Sequence, residues 1–188
     1  GGTFLKYNEI DSALYHYSFA RQYAELLNDD RKLAQCYLNI GNLYDRQDKF
    51  VKAFEFWLKC KKIAIKMDDL DLQCNVAMSI GQTYVYLGEV NSSIRPFEEA
   101  AVLAAQSNNT QLQILALIKL VKGKYHQQKF EEALQILQNG ENLIKSGVGT
   151  ELKFEIYLYE GACFMNLSQF QKAEKMFQLA QSESKKHG

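Results

Sequence analysis

The pattern of this chain returns every forty residues. Ala13, Ala53, Ser93, Ala133 and Ala173 share one column, and Ile10, Phe50, Val90, Phe130 and Phe170 share another. Tyr17, Trp57, Phe97, Leu137 and Phe177 form a third, and Ala20, Cys60, Ala100, Gly140 and Ala180 a fourth. Gly41, Gly81 and Gly161 recur in step, as do Phe4, Tyr44, Tyr84 and Phe164. An unbroken period of this length calls for stacked units, each burying its apolar face against its neighbours, and not for a core with a single centre. It favours a recognition surface over an active site.

Each unit divides into two amphipathic segments. Leu33, Cys36, Tyr37, Ile40 and Tyr44 recur at steps of three and four, which is the spacing of one helical face, and Phe50, Phe54, Trp57 and Ile65 are expected along the apolar side of the next helix. The segments predict helices near 10–27, 31–46, 50–66, 70–86, 91–106, 110–126, 130–145, 150–166 and 169–185. Polar clusters separate them: Asn28-Asp29-Asp30, Asp68-Asp69, Asn108-Asn109 and Ser146 to Thr150. Asp and Asn there can accept from the free amides that open the following helix. Thr110 with Gln113, and Ser168 with Gln171, read as capping boxes.

Glycine within a helix costs about 1 kcal/mol relative to alanine, so a recurrent one needs a return in packing. The spacing predicts Gly41 facing Ala53 and Gly81 facing Ser93, with paired axes about 8 Å apart. Unit four departs, with Val121 in the glycine column and Lys124 in the aromatic one. Looser or shifted packing is expected there, with Tyr125 taking the aromatic role. Pro96, the single proline, predicts either a late start after Ser92 or Ser93 or a bend, since it removes an amide donor and crowds the preceding turn.

These columns resemble the tetratricopeptide repeat. The stretch Gly41-Asn42-Leu43-Tyr44, Phe50, Ala53, Trp57 and Cys60 follows that family's pattern, as do Gly81, Tyr84, Gly88, Phe97 and Ala100, and Gly161, Phe164, Phe170, Ala173, Phe177 and Ala180. The resemblance implies an all-α fold, a right-handed superhelical solenoid of antiparallel helix pairs. It covers residues 1–188 as one solenoid, with units near 1–27 (partial), 31–67, 70–107, 110–146 and 150–186. The family's usual unit has about 34 residues. The longer unit here resembles spindle-orientation adaptors, kinesin light chains, and regulators of the Rap and MalT types. Gly1 falls on the glycine column and no further helix follows Lys186, so the chain reads as part of a longer protein.

The resemblance implies that the first helix of each pair lines a concave groove for a peptide segment of a partner protein. The inward positions are then Gln35, Leu38, Asn39, Asn42, Asp45 and Arg46 in unit two, and Asn75, Met78, Ser79, Gln82 and Tyr86 in unit three. Unit four gives Leu115, Ile118, Lys119, Lys122 and His126, and unit five Glu155, Leu158, Tyr159 and Asn166. Asn39 and Asn42 share a helical face, and each amide can donate to and accept from a peptide backbone. They are similar to the Asn-Leu-Gly-Asn stretch of the spindle adaptors, where those asparagines hold peptide backbone; two solvated asparagines are the plain alternative. Lys119, Lys122 and His126 make a basic stripe that either attracts an acidic partner segment or is simply solvated. Leu38, Met78 and Ile118 would supply apolar pockets. The resemblance leaves two functions open: a protein-interaction scaffold or adaptor, and a ligand- or peptide-sensing regulatory domain. The terminal-carboxylate clamp found in some relatives is not expected, because its lysine site is occupied by Leu38, Met78, Ile118 and Leu158.

Other classes find little support. Lysine plus arginine equals aspartate plus glutamate, 22 each, which lacks the basic excess of a nucleic-acid binder. Apolar runs such as Ile114 to Ile118 are too short to span a bilayer, and no secretory signal opens the chain. Of the histidines, His16 lies among aromatics and His187 near the end. Only His126 falls in the groove, without a nucleophile–base arrangement, and no glycine-rich phosphate loop is present. No cofactor and no enzymatic activity are expected. Cys36, Cys60, Cys74 and Cys163 form no metal-ligand spacing and read as reduced structural thiols, which favours an intracellular, cytoplasmic protein.

Overall fold

The computed structural model describes residues 2–144 and 150–187, with side chains over 10–144 and 151–186. Among them are nine α-helices: α1 (Gly2–Leu26), α2 (Asp30–Asp45), α3 (Phe50–Lys66), α4 (Leu70–Tyr86), α5 (Val90–Gln106), α6 (Thr110–His126), α7 (Phe130–Ile144), α8 (Lys153–Asn166) and α9 (Phe170–His187). A short 3-10 turn, Thr150–Leu152, leads into α8. Helices α2/α3, α4/α5, α6/α7 and α8/α9 form hairpins that stack in chain order. Polar bonds between successive hairpins repeat at nearly the same separation: Ser79 Oγ to Asn42 Oδ1 (3.2 Å), Asn109 Nδ2 to Asp71 Oδ2 (2.9 Å) and Asn166 Nδ2 to the Tyr125 hydroxyl (3.1 Å). This is the register the forty-residue period dictates.

The turns share one grammar. Asn28, Asp48, Asp68, Asn108, Gln128 and Ser168 take left-handed backbone with φ between 52° and 60°, and Gly88 has φ 77°. Short polar residues and glycine tolerate this conformation best. The residue that follows returns its amide to a carbonyl five positions back, as in Asp69 to Ala64 (2.9 Å), Lys49 to Tyr44 (3.0 Å) and Glu89 to Tyr84 (2.9 Å), a Schellman bond that closes the helix; at the end of α5 the Asn109 amide donates to Ser107 Oγ at 3.4 Å instead. Asp29, Asp69 and Asn109 then cap the next helix by accepting from the amides of Lys32, Leu72 and Leu112 at 3.0–3.1 Å. The two predicted capping boxes do not form. Thr110 lies inside α6 with Asn109 as its cap, and Ser168 is the left-handed turn residue before α9.

Helix α1 also departs from expectation. It begins well before residue 10 and runs unbroken through Asn8, which holds the column of the turn residues Asp48, Gly88, Gln128 and Ser168. Continued helix keeps the backbone bonds that a turn at Asn8 would break. Helix α5 starts at Val90 with Pro96 in its interior, and so does not start late.

The core lies between and within hairpins. Ala34, Leu38, Ala53, Trp57, Cys60 and Ala64 meet Leu72 and Val76 of the next hairpin, while Ile114, Ile118, Val121, Ala133 and Leu137 meet Ile156 and Cys163. The glycines lie against aromatic rings, and Gly41 also meets the Ala53 backbone, 3.2 Å from where its Cβ would sit to the Ala53 carbonyl oxygen. A Cβ on Gly41 would lie 2.5 Å from Trp57 Cδ1 and Nε1, one on Gly81 2.5 Å from Phe97 Cε1, and one on Gly161 2.6 Å from Phe177 Cε1. Each glycine therefore makes room for a ring.

Unit four exchanges that pair for another. Val121 is fully buried beside Leu137, which replaces the ring. Tyr125 takes the aromatic role, its ring 5.5 Å from that of Phe130 and 6.1 Å from that of Tyr159. Lys124 instead reaches Glu98 (3.3 Å) and Glu132 (3.1 Å). Cys36, Cys60, Cys74 and Cys163 are all buried and unpaired. Burial pushes the thiols up, to about 11 for Cys60, about 12 for Cys74 and about 11 for Cys163.

Candidate functional site

Helices α2, α4 and α6, the first of their hairpins, lie side by side along a hollow of about 470 Å³. From α2 come Leu38, Asn42, Asp45 and Arg46; from α4 come Asn75, Met78, Ser79, Gln82 and Tyr86; from α6 come Leu115 and Lys119. Leu38 and Met78 are largely buried and floor the hollow, whereas Tyr86 is 69% exposed at its rim. Of the proposed apolar pockets, Ile118 is absent from the lining. It is 3% exposed and belongs to the core between the α6/α7 and α8/α9 hairpins.

Trp57 reaches the hollow from α3, although its column marks it as core. The reason is Gly41: with no side chain there, the indole passes beside α2 and donates from Nε1 to Asn42 Oδ1 at 3.0 Å. The Ser79 hydroxyl donates to the same oxygen at 3.2 Å. That oxygen is thus doubly engaged, and the remaining capacity of Asn42 is its two N–H donors. Neither the pairing of Gly41 with Trp57 nor the indole's hydrogen bond to Asn42 was readable in the columns, because the columns do not give direction.

Asn39 does not join Asn42 in the hollow. Its Oδ1 accepts from Gln35 Nε2 at 3.3 Å, one turn along the same helix, and neither residue lines the hollow. Lys119 Nζ donates to Gln82 Oε1 at 3.3 Å, which leaves the Gln82 Nε2 group buried without a partner. Burial holds the Lys119 ammonium below its ordinary value, with the Lys122 charge adding to the effect and Glu155 opposing it. Neither Lys119 nor Lys122 forms an ion pair among the described residues. Lys122, Glu155 and Tyr159 are outside the lining; the charges of Lys122 and Glu155 act on Lys119, and Tyr159 packs on Tyr125. His126 is exposed at the end of α6, its ring 6.0 Å from that of Tyr125. The Asp45 carboxyl is raised by burial, although the Thr83 hydroxyl donates to it at 2.6 Å and opposes the rise.

The hollow therefore presents N–H and ammonium donors, with the Asp45 carboxyl beside them, over an apolar floor. No group of three or more His, Cys, Asp or Glu able to hold a metal occurs among the described residues. No described helix is long and apolar enough to cross a membrane.

No family model matches the sequence, and no curated protein matches it. Solved structures do. The chain is similar to BtubC (BKLC) from P. vanneervenii, with a TM-score of 0.82 at 18% identity, over 97% of this chain and 76% of that one. It is similar to a putative kinesin light chain from Podospora anserina with nearly identical TPR-like repeats, with a TM-score of 0.72 at 11% identity, over 98% and 92% of the two chains. It is also similar to YrrB, described as a TPR protein with an unusual peptide-binding site, with a TM-score of 0.59 at 18% identity, over 99% and 84%. At these identities the likeness defines the class by its architecture: an all-α, right-handed superhelical solenoid of the tetratricopeptide type.

Proposed function

We propose that this solenoid is a non-catalytic adaptor that takes an extended, acidic segment of a partner protein into the α2/α4/α6 hollow. The observation that carries this reading is the fixed amide of Asn42. Trp57 and Ser79 hold its oxygen, so its N–H groups are set to donate to a backbone carbonyl whatever the side chains of the segment. Leu38 and Met78 would then receive an apolar side chain, and Lys119 with Lys122 a carboxylate. An incoming carboxylate also gives a desolvated ammonium the partner it lacks. YrrB, with its peptide-binding site, shares this architecture and lends the reading support. Four buried, unpaired thiols fit a reducing, cytoplasmic setting.

The test is capture of partners by cross-linking in cells that express the protein or its Asn42→Ala variant, followed by titration of the captured segment. Asn42→Ala should weaken that segment by about tenfold, the worth of one charge-free hydrogen bond lost from a partly buried site. Lys119→Ala should flatten its salt dependence. A segment that binds both variants as it binds the parent protein refutes the assignment.

A further inference from the structure

The second surface lies on α3, on the side turned away from the core. Ala53, Trp57, Cys60 and Ala64 mark the buried face of that helix. At 3.6 residues per turn, Val51, Leu58 and Ile65 fall on the far side. They are 75%, 59% and 57% exposed and stand at heptad spacing, a row roughly 21 Å long. Lys52, Lys59 and Lys66 run beside them at the same spacing, with Glu55 and Lys62 between the two rows.

The repeat supplies its own control. The columns of Val51, Leu58 and Ile65 hold Asp11, Ser18 and Glu25 in α1, Asn91, Glu98 and Ala105 in α5, and Gln171, Gln178 and Lys185 in α9. The fold thus places no demand for large aliphatics at these positions, yet α3 carries three. The lysine columns hold Ser92, Glu99 and Gln106 in α5. Lys66 meets Asp30 at 2.6 Å. Lys52 lies over the Tyr44 ring and Lys59 over that of Phe56, at 5.4 and 5.0 Å, which steadies both ammonium groups without neutralising them.

We infer that this face of α3 docks an acidic amphipathic helix of another protein, aliphatic residues on one edge meeting Val51, Leu58 and Ile65 and carboxylates on the other meeting Lys52, Lys59 and Lys62. The pairing follows the seam logic of two-stranded helices, with apolar residues at heptad steps and charges flanking them. Charge selects this occupant over the others. An antiparallel second copy on the same row would bring Lys52, Lys59 and Lys66 of both chains to one side. A lipid surface would have to accept Glu55 beside only three aliphatic side chains, none aromatic.

The probe is a synthetic helix of about three heptads, leucine along one edge and glutamate along the other, titrated into the isotope-labelled full chain and followed by NMR. Shifts should gather on Val51, Leu58, Ile65, Lys52 and Lys59. The variant Val51→Asn/Leu58→Glu/Ile65→Ala carries what α5 holds at these columns; it should keep its helicity and thermal midpoint and bind the probe at least about tenfold more weakly. Replacing the probe's glutamates by glutamine should weaken it comparably. No binding at about 1 mM, equal binding by the triple variant, equal binding of the glutamine probe, or shifts centred on Asn42, Met78 and Gln82 overturns the inference. So does binding of the chain alone to phosphatidylserine vesicles, or a dimer in light scattering, if either disappears in the triple variant.

Discussion

The exchange of glycine plus ring for valine plus leucine can be transplanted from unit four into unit three. In Gly81→Val, the new Cβ would sit 2.5–3.0 Å from three atoms of the Phe97 ring. That ring is fully buried and has no free end to swing aside. Overpacking a full core costs about 1–3 kcal/mol, and a rigid opposing ring places this substitution near the upper end, with only a few tenths returned by the better helix propensity of valine. Phe97→Leu alone removes part of a ring and leaves a gap, about 1–2 kcal/mol by interpolation from full truncation. Added independently, the two would cost about 4–5 kcal/mol. Together they rebuild the contact of Val121 with Leu137, both at most 1% exposed, so the double variant should lose only about 1–2 kcal/mol. The coupling of about 3 kcal/mol is at the top of the range for touching residues. Urea denaturation followed by circular dichroism reads all four corners of the cycle. A double variant as unstable as the sum of its parents would show that the columns do not act as matched pairs.

Three further perturbations test other parts of the structure. Glu160 is 7% exposed with one carboxylate oxygen unpartnered, and burial, reinforced by the Glu141 charge, raises it from 4.5 to about 7. Between those values the native chain binds more protons than the unfolded one, so stability falls as pH rises through this window and the full penalty, on the order of 3 kcal/mol, stands above it. Glu160→Gln should therefore match the parent near pH 4 and exceed it near pH 8 in thermal midpoint; equal midpoints at pH 8 would count against the burial argument. Asn109→Ala removes both the cap on Leu112 and the bond to Asp71 and should cost about 1–2 kcal/mol, whereas Thr110→Ala, the residue that does not cap, should cost much less in the same denaturation assay. Trp57→Ala should cost about 3–5 kcal/mol, visible as a fall of roughly 6–20 °C in midpoint for a chain of this size, and an unmoved midpoint would remove Trp57 from the core.

The period made the architecture legible, because burying a recurrent apolar face leaves stacked hairpins as its solution. Helix bounds came within a few residues for the same reason, except in α1, where the columns imply a turn at Asn8 that the backbone does not make. Partner assignments were less readable. Glycine columns and small-residue columns both suggest close approach, and only the coordinates show that Gly41 makes room chiefly for Trp57 while also meeting the Ala53 backbone. The hollow was partly foreseen: Asn42, Met78 and Lys119 line it, while Ile118 turned into the core and Asn39 paired along its own helix with Gln35. A one-turn difference in facing decides such cases, and spacing alone resolves a face only to about that angle. The row on α3 was hidden for the opposite reason. Exposed aliphatics are ordinary one at a time, and these three stand out only when set against Asn91, Glu98 and Ala105.

Glu160 occupies a column that elsewhere holds Ile40, Ile80 and Leu120, on the α8 side of the joint with α7, where the Glu141 charge reaches it. In a linear stack each layer communicates only with the next, so ionising one side chain at that joint loosens the last layer and leaves the earlier ones undisturbed. Alkaline conditions would thus uncouple α8 and α9 from the rest as a clutch disengages one shaft, with the hollow on α2, α4 and α6 still intact upstream.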